Sequence, residues 1–266
     1  MKISSRLLPL WVAAFFLFMA AGIAVAAPPV TEIVAKANQA AYYAGDDGRA
    51  EVNMTITDSQ GRARERRFVI LRRDIEDGGR QLFYVYFERP TDVRRMVFMV
   101  HKQVEKDDDR WLYLPDLDLV KRIAASDKRT SFVGSHAFYE DVSGRSPAED
   151  HHELVEETAE HYVLNNIPKE PGAVEFASYR IWIDKNNFLP VKAEYIDKSG
   201  KPYRLVEALA VADVQGFATV TKSRVKDLAG GGETVMEFGQ VSYNLGLDES
   251  LFTERYLRRP PREIRR

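Results

Sequence analysis

With 266 residues, 38 basic and 40 acidic side chains, a formal charge of −2 and no cysteine, the chain is mildly acidic and free of disulfides. That balance excludes nucleic-acid binding by global charge. It also excludes a small disulfide-stapled scaffold, so one large core must hold the fold.

Lys2 and Arg6 precede an apolar run from Leu7 to Ala24, and Ala24-Val25-Ala26 offers small residues for cleavage. Residues 1–26 therefore read as a secretory signal peptide; an uncleaved anchor is the alternative, because roughly 20 apolar residues span a bilayer. Losing Lys2 and Arg6 and no acid moves the formal charge from −2 to −4. Residues 27–266 then form a single periplasmic domain, and no cysteine follows the signal for lipid attachment.

Thr31 is the expected cap of an amphipathic helix through Val30, Ile33, Val34, Ala37 and Ala41 that ends near Gly45. Alternation at Ala50, Val52, Met54 and Ile56 predicts a half-buried strand, and Asp58-Ser59-Gln60-Gly61 turns it into a second over 63–72. The third, Gln81 to Glu88, is apolar on both faces, Phe83, Val85 and Phe87 on one and Leu82, Tyr84 and Tyr86 on the other, so each side is covered or one meets a ligand. Met96 to Val100 continues the pattern.

The stretch from Asp107 to Val142 has no evident catalytic set. It holds an aromatic strand (Trp111 to Leu114), a proline stop at Pro115, a basic strand start (Val120 to Ile123) and a Ser/Gly segment that ends in Phe138-Tyr139-Glu140-Asp141. It is too long and too mixed for a tight connection and reads as two strands leading into a lid. Arg122 or Arg129 would pair with Glu140 and Asp141 to fasten it. From His151 to Tyr243 strand follows strand through short polar turns, Gly230-Gly231-Gly232 among them. Such a meander of about eleven strands curls into a mainly β fold, an incomplete antiparallel barrel with helices against its concave side. Asp248 to Leu257 predicts a short helix, and the basic tail from Arg258 reads as a solvated terminus, with docking to anionic lipid or an acidic partner as the sharper reading.

No metal site or cofactor is expected. His151 and His152 are strand neighbours facing opposite sides, the other histidines are isolated, and Asp107-Asp108-Asp109 lacks the glycine bend and closing acid of a hard-cation loop. Ser135 lacks the second glycine of a nucleophile elbow, and the triple glycine precedes a strand, not a helix, so neither supports an enzyme. What remains is the apolar and aromatic set Phe83, Val85, Phe87, Phe98, Trp111, Tyr113, Phe132, Phe138 and Trp182. Each one alone suits an ordinary core; as a set in a single curled layer they argue for an interior larger than one helix fills. The parity of the strands leaves open which face is concave.

The segments Phe87-Glu88-Arg89-Pro90-Thr91-Asp92-Val93-Arg94, Asp109-Arg110-Trp111-Leu112-Tyr113-Leu114-Pro115, Val120-Lys121-Arg122-Ile123, Ser131-Phe132-Val133-Gly134-Ser135 and Phe138-Tyr139-Glu140-Asp141-Val142 resemble the LolA-like outer membrane lipoprotein-sorting protein family. Ala50 to Thr55 and Leu251 to Leu257 are similar to it as well. The resemblance implies a half-barrel with a helical lid whose apolar cavity binds acyl chains of a lipid or lipoprotein, with no catalytic residues. It also implies association with transporters of the resistance-nodulation-division (RND) type or an outer-membrane acceptor. Arg95-Met96 stands where the family usually has Gly-Thr, and His136 where an aspartate is common. The expected function is a periplasmic carrier whose lining or lid residues are Phe83, Val85, Phe87, Phe98, Trp111, Tyr113, Phe132 and Phe138; the alternative is a cargo-free accessory protein docked on an envelope partner, with peripheral membrane contact.

Overall fold

The computed structural model describes residues 28–265, so the signal expected at residues 1–26 lies outside the described residues. A helix, α1 (Val30–Tyr42), precedes β1 (Asp47–Thr57), β2 (Ala63–Asp74), β3 (Gln81–Arg89), β4 (Val97–Lys102), β5 (Asp109–Leu114) and β6 (Leu119–Ile123). Residues 124–149, including α2 (Tyr139–Ser143), lead to β7 (Asp150–Glu157), β8 (His161–Pro168), β9 (Phe176–Asp184), β10 (Pro190–Asp197), β11 (Pro202–Val214), β12 (Phe217–Asp227) and β13 (Glu233–Tyr243), with α3 (Arg255–Arg258) near the end.

The strands form one antiparallel sheet in the order β6-β5-β4-β3-β2-β1-β13-β12-β11-β10-β9-β8-β7. There are thirteen rather than about eleven, and β5 and β6, the two strands expected before the lid, pair from Arg110↔Ile123 to Leu114↔Leu119 across the turn at Pro115–Leu117. Every neighbour in the sheet is a hairpin partner except β1 and β13, which meet in the middle with Val52 opposite Phe238 and Met54 opposite Met236. Register shifts in the β1–β13, β10–β11 and β11–β12 ladders bend the sheet into an open arc. Its free edges are β6 and β7.

Strand parity assigns the two faces. Val52, Met54, Phe68, Phe83, Val85, Phe87, Phe98, Val100 and Leu112 share one cluster with Phe132, Ala137 and Tyr139 of the 124–149 crossing, which therefore covers the inner face as a lid. Val69, Leu71, Leu82, Tyr84, Val97, Met99, Trp111 and Tyr113 point the other way and are covered by Leu247, Leu251, Phe252, Leu257 and Ile264. Both faces of β3 are thus buried.

The C-terminal segment departs from the expectation of a solvated tail. Beyond Arg258, Ile264 sits in the outer cluster and Arg49 Nε donates to the Glu263 carbonyl at 3.2 Å; ahead of it Leu251, Phe252 and Leu257 dock on the same face, and the Tyr256 carbonyl accepts from the Tyr84 hydroxyl at 2.7 Å. Asp248 caps its first turn by accepting from the Ser250 amide at 2.8 Å.

Helix α1 lies on the other half of the inner face, with Ile33 and Ala37 against Tyr162, Leu164 and Ile183. It starts behind Pro29, which occupies the cap position expected for Thr31 and makes no side-chain cap bond. Its C-terminal end is capped from the sheet: the Arg72 guanidinium donates to the carbonyls of Tyr42, Ala44 (2.5 Å) and Gly45 (2.7 Å). A cation there offsets the negative end of the helix dipole.

Candidate functional site

Between α1, the lid and the central strands the inner face is not filled. Two adjoining cavities of about 300 and 360 Å³ share Ala41, Tyr42, Ala137, Asp141, Leu189, Met236 and Phe238 as common wall. The first is bounded by Phe68, Ile70, Phe83, Val85, Phe132 and Val220, and the second by Val34, Leu164, Ile181, Val206 and Val225. Ile70, Ile181, Val206, Val220, Met236 and Phe238 point inward yet are only half-buried. Ile70, Val206, Met236 and Phe238 pack against the inner cluster and Ile181 against the α1 cluster, so each is covered on one side by its own chain and left accessible on the other.

The expected site residues divide. Phe83, Val85 and Phe132 line the first cavity. Phe87 and Phe98 share that face, but they are fully buried in an aromatic group with Phe132, at ring distances of 5.8 and 5.5 Å, and form the floor under the lid instead of a cavity wall. Trp111 and Tyr113 do not belong to the cavity. On β5 it is Arg110 and Leu112 that face inward, which sends Trp111 and Tyr113 to the outer face, under the C-terminal segment. Phe138, half-buried, caps α2 between the guanidinium groups of Arg204 (4.4 Å) and Arg129 (5.0 Å). Trp182 faces away from Ile181 and Ile183, with the Lys192 ammonium 4.2 Å over its ring.

The lid is fastened by ions. Glu140 is 2% exposed and is bound by Arg129 at 2.5 Å, Lys128 at 3.3 Å and Arg145 at 3.6 Å. Burial opposes its ionisation, but the three cations outweigh burial and hold its carboxyl below the usual carboxylate range. Arg129 also clamps Glu175 at 2.7 Å on the β9 side; burial raises that carboxyl, yet the Arg129 and Tyr203 hydrogen bonds bring it down to about 2. Asp141 accepts from Arg204 on β11 and from the Phe138 amide at 2.6 Å. Arg129 thus fastens the lid as expected, whereas Arg122 pairs with Asp109. Asp108, in the acidic run, is a third anchor: it accepts from Arg110 at 2.7 Å and from the Ser143 hydroxyl at 2.9 Å.

Local backbone explains how the lid reaches inward. The Phe132 amide donates to the Ala137 carbonyl at 2.8 Å around a tight turn in which Val133 and Gly134 both take positive φ, and this drives Phe132 down. His136 tethers the turn to β13, its amide and Nδ1 both meeting Thr234 Oγ1 at 3.0 and 2.9 Å. Arg95, where the resemblance expects glycine, does take φ 71°. Ser135 is consumed by the same turn, its Oγ accepting from the Ala137 amide at 3.2 Å. Among the described residues, no three His, Asp or Glu side chains gather where they could hold a metal ion.

What sequence reasoning missed is the central wall: Ala41 and Tyr42 at the end of α1, and Ile70, Val220, Met236 and Phe238 on the middle strands. Their alternation is visible, but alternation alone does not distinguish a side chain that packs from one that faces a void.

A family model described as "Uncharacterized protein" matches residues 79–259. Among solved structures, the chain is similar to a DUF1329 family protein from Desulfovibrio piger, with 27% identity over 87% of this chain and 100% of that one and a TM-score of 0.79. It shares its fold with a putative outer membrane lipoprotein-sorting protein domain from Vibrio parahaemolyticus (24% identity, 86% and 97% coverage, TM-score 0.77). The same fold occurs in a LolA superfamily protein from Nitrosomonas europaea (20% identity, 86% and 100% coverage, TM-score 0.66). No curated protein matches the chain.

Proposed function

The chain belongs to the uncharacterized-protein family whose model matches residues 79–259, and from that footing we propose that it is a periplasmic carrier that shelters the acyl chains of a lipid or lipoprotein between its lid and its curved sheet. The observation that carries the reading is the set of inward apolar side chains, Ile70, Val206, Val220, Met236 and Phe238, left half-buried around the two adjoining cavities. Hydrocarbon entering such a space gains about 0.8 kcal/mol per methylene, so a 14-carbon chain supplies roughly 11 kcal/mol before the costs of binding. The fold shared with a lipoprotein-sorting domain and a LolA superfamily protein supports the same reading.

A carrier must also release its cargo, and a lid whose anchors are ion pairs offers a way to do so, since these respond to the charge of a docking surface. The donor or recipient would be an RND-type transporter or an outer-membrane acceptor. Native mass spectrometry of gently purified protein, with displacement of a fluorescent fatty acid, tests the proposal. Retained or displaceable lipid is expected; a protein that neither retains nor takes up lipid would end it.

A further inference from the structure

Tyr42 stands where the two cavities meet. It ends α1, its ring lines both lobes, and it lies so close to Gly144 that a Cβ there would come within 2.4 Å of the ring. The ring is therefore held between the helix and the lid. Its carbonyl is engaged by Arg72 and by Gln81 at 2.7 Å, yet its hydroxyl has no hydrogen-bond partner among the described residues. Burial, followed by the nearby Asp141 carboxylate, raises its pKa, so it stays a neutral donor. One unpaired hydroxyl thus stands beside Asp141 at the junction of two lobes whose accessible lining is mostly apolar.

The volumes say what each lobe accepts. A cavity of about 150 Å³ takes up benzene, so on that scale lobes of about 300 and 360 Å³ hold roughly twelve to fourteen carbon atoms each. A single unbroken hydrocarbon running through both would pass the Tyr42 hydroxyl and leave it dry and unpaired, which is costly. A branch point that carries a carbonyl would satisfy it.

From this we infer that the cargo is an amphiphile with two hydrocarbon chains, one in each lobe, joined near an ester or amide carbonyl that accepts a hydrogen bond from Tyr42 Oη. The inference rests on the carrier reading and narrows it to a substrate class. The test uses delipidated protein, dilauroyl phosphatidylglycerol and its one-chain lyso form, with stoichiometry from native mass spectrometry and affinity from displacement of a fluorescent fatty acid. One two-chain lipid or two one-chain lipids should bind per protein. Tyr42→Phe, which keeps the ring, should weaken the two-chain lipid about tenfold at an unchanged melting temperature. Binding of a single one-chain lipid with rejection of the two-chain form would overturn the inference while leaving the carrier reading intact. An unchanged affinity in Tyr42→Phe would remove the hydroxyl from the recognition, and failure of every lipid to bind would take down the carrier reading itself.

Discussion

Replacing Lys102 with methionine should stabilise the protein, and the size of the gain follows from where the lysine sits. It is 5% exposed at the inner end of β4, its ammonium has no hydrogen-bond partner among the described residues, and it lies 4.9 and 5.4 Å from the ring centroids of Tyr42 and Tyr43. Burial outweighs the attraction of Asp108 and Asp74 and lowers its pKa from 10.5 to about 8. Holding the charge at pH 7 therefore costs the folded state about 3 kcal/mol, of which the two rings return about 1 kcal/mol. Lys102→Met keeps the apolar stem and should be about 2 kcal/mol more stable at pH 7 in urea unfolding. The sign with pH is fixed by the lowered pKa. Between about 8 and 10.5 the unfolded chain binds more protons than the folded one, so the penalty on the wild type is complete below 8 and fades as pH rises towards 10.5. Comparing variant and wild type at each pH cancels the tyrosines, which titrate in both. A variant less stable than wild type at pH 7, or a gap constant from pH 7 to 11, would refute the reasoning.

Glu140→Gln leaves Arg129, Lys128 and Arg145 without their shared buried anion, and a loss of about 3 kcal/mol in chemical unfolding is expected. Because the Glu140 and Glu175 carboxyls are both held low, their contribution is present above pH 4.5 and is lost as pH falls towards 2; the slope of stability against pH below 4.5 should flatten in the Glu140→Gln/Glu175→Gln double variant. Val220→Trp fills the first lobe from a half-buried position and should cut fatty-acid affinity more than tenfold, with circular dichroism melting little changed. Trp111→Ala on the outer face should cost about 3 to 5 kcal/mol in urea unfolding while the folded protein binds lipid as before; an affinity loss matching that of Phe83→Ala would place Trp111 at the cargo after all.

The strands were legible because each alternates in hydropathy and is closed by polar turns, and the lid because the run from Asp107 to Val142 is too long and too mixed for a hairpin connection. The face of each strand was not legible. Phe83 and Trp111 look alike in sequence, and only the pairing of β5 with β4, Met99 opposite Trp111 and Phe98 opposite Leu112, sends one in and the other out. The tail misled for a related reason. Its arginines dominate the composition, but Ile264 meets a surface the sheet presents only once folded. Tyr42 reads as an ordinary helix end until α1 is laid beside Gly144.

The lid starts at one free edge of the sheet and finishes at the other, β6 and β7. It is a bowstring rather than a door: with no free end it cannot swing aside, and admitting cargo must either let the string slacken or flatten the bow. A single proteolytic nick in residues 124–138 would cut that string and leave two six- and seven-strand fragments joined by the β1–β13 ladder. The two pieces would stay in register through that ladder, through the C-terminal segment on the outer face and through α1 on β8 and β9, and curvature lost on nicking would report how much tension the intact strap bears.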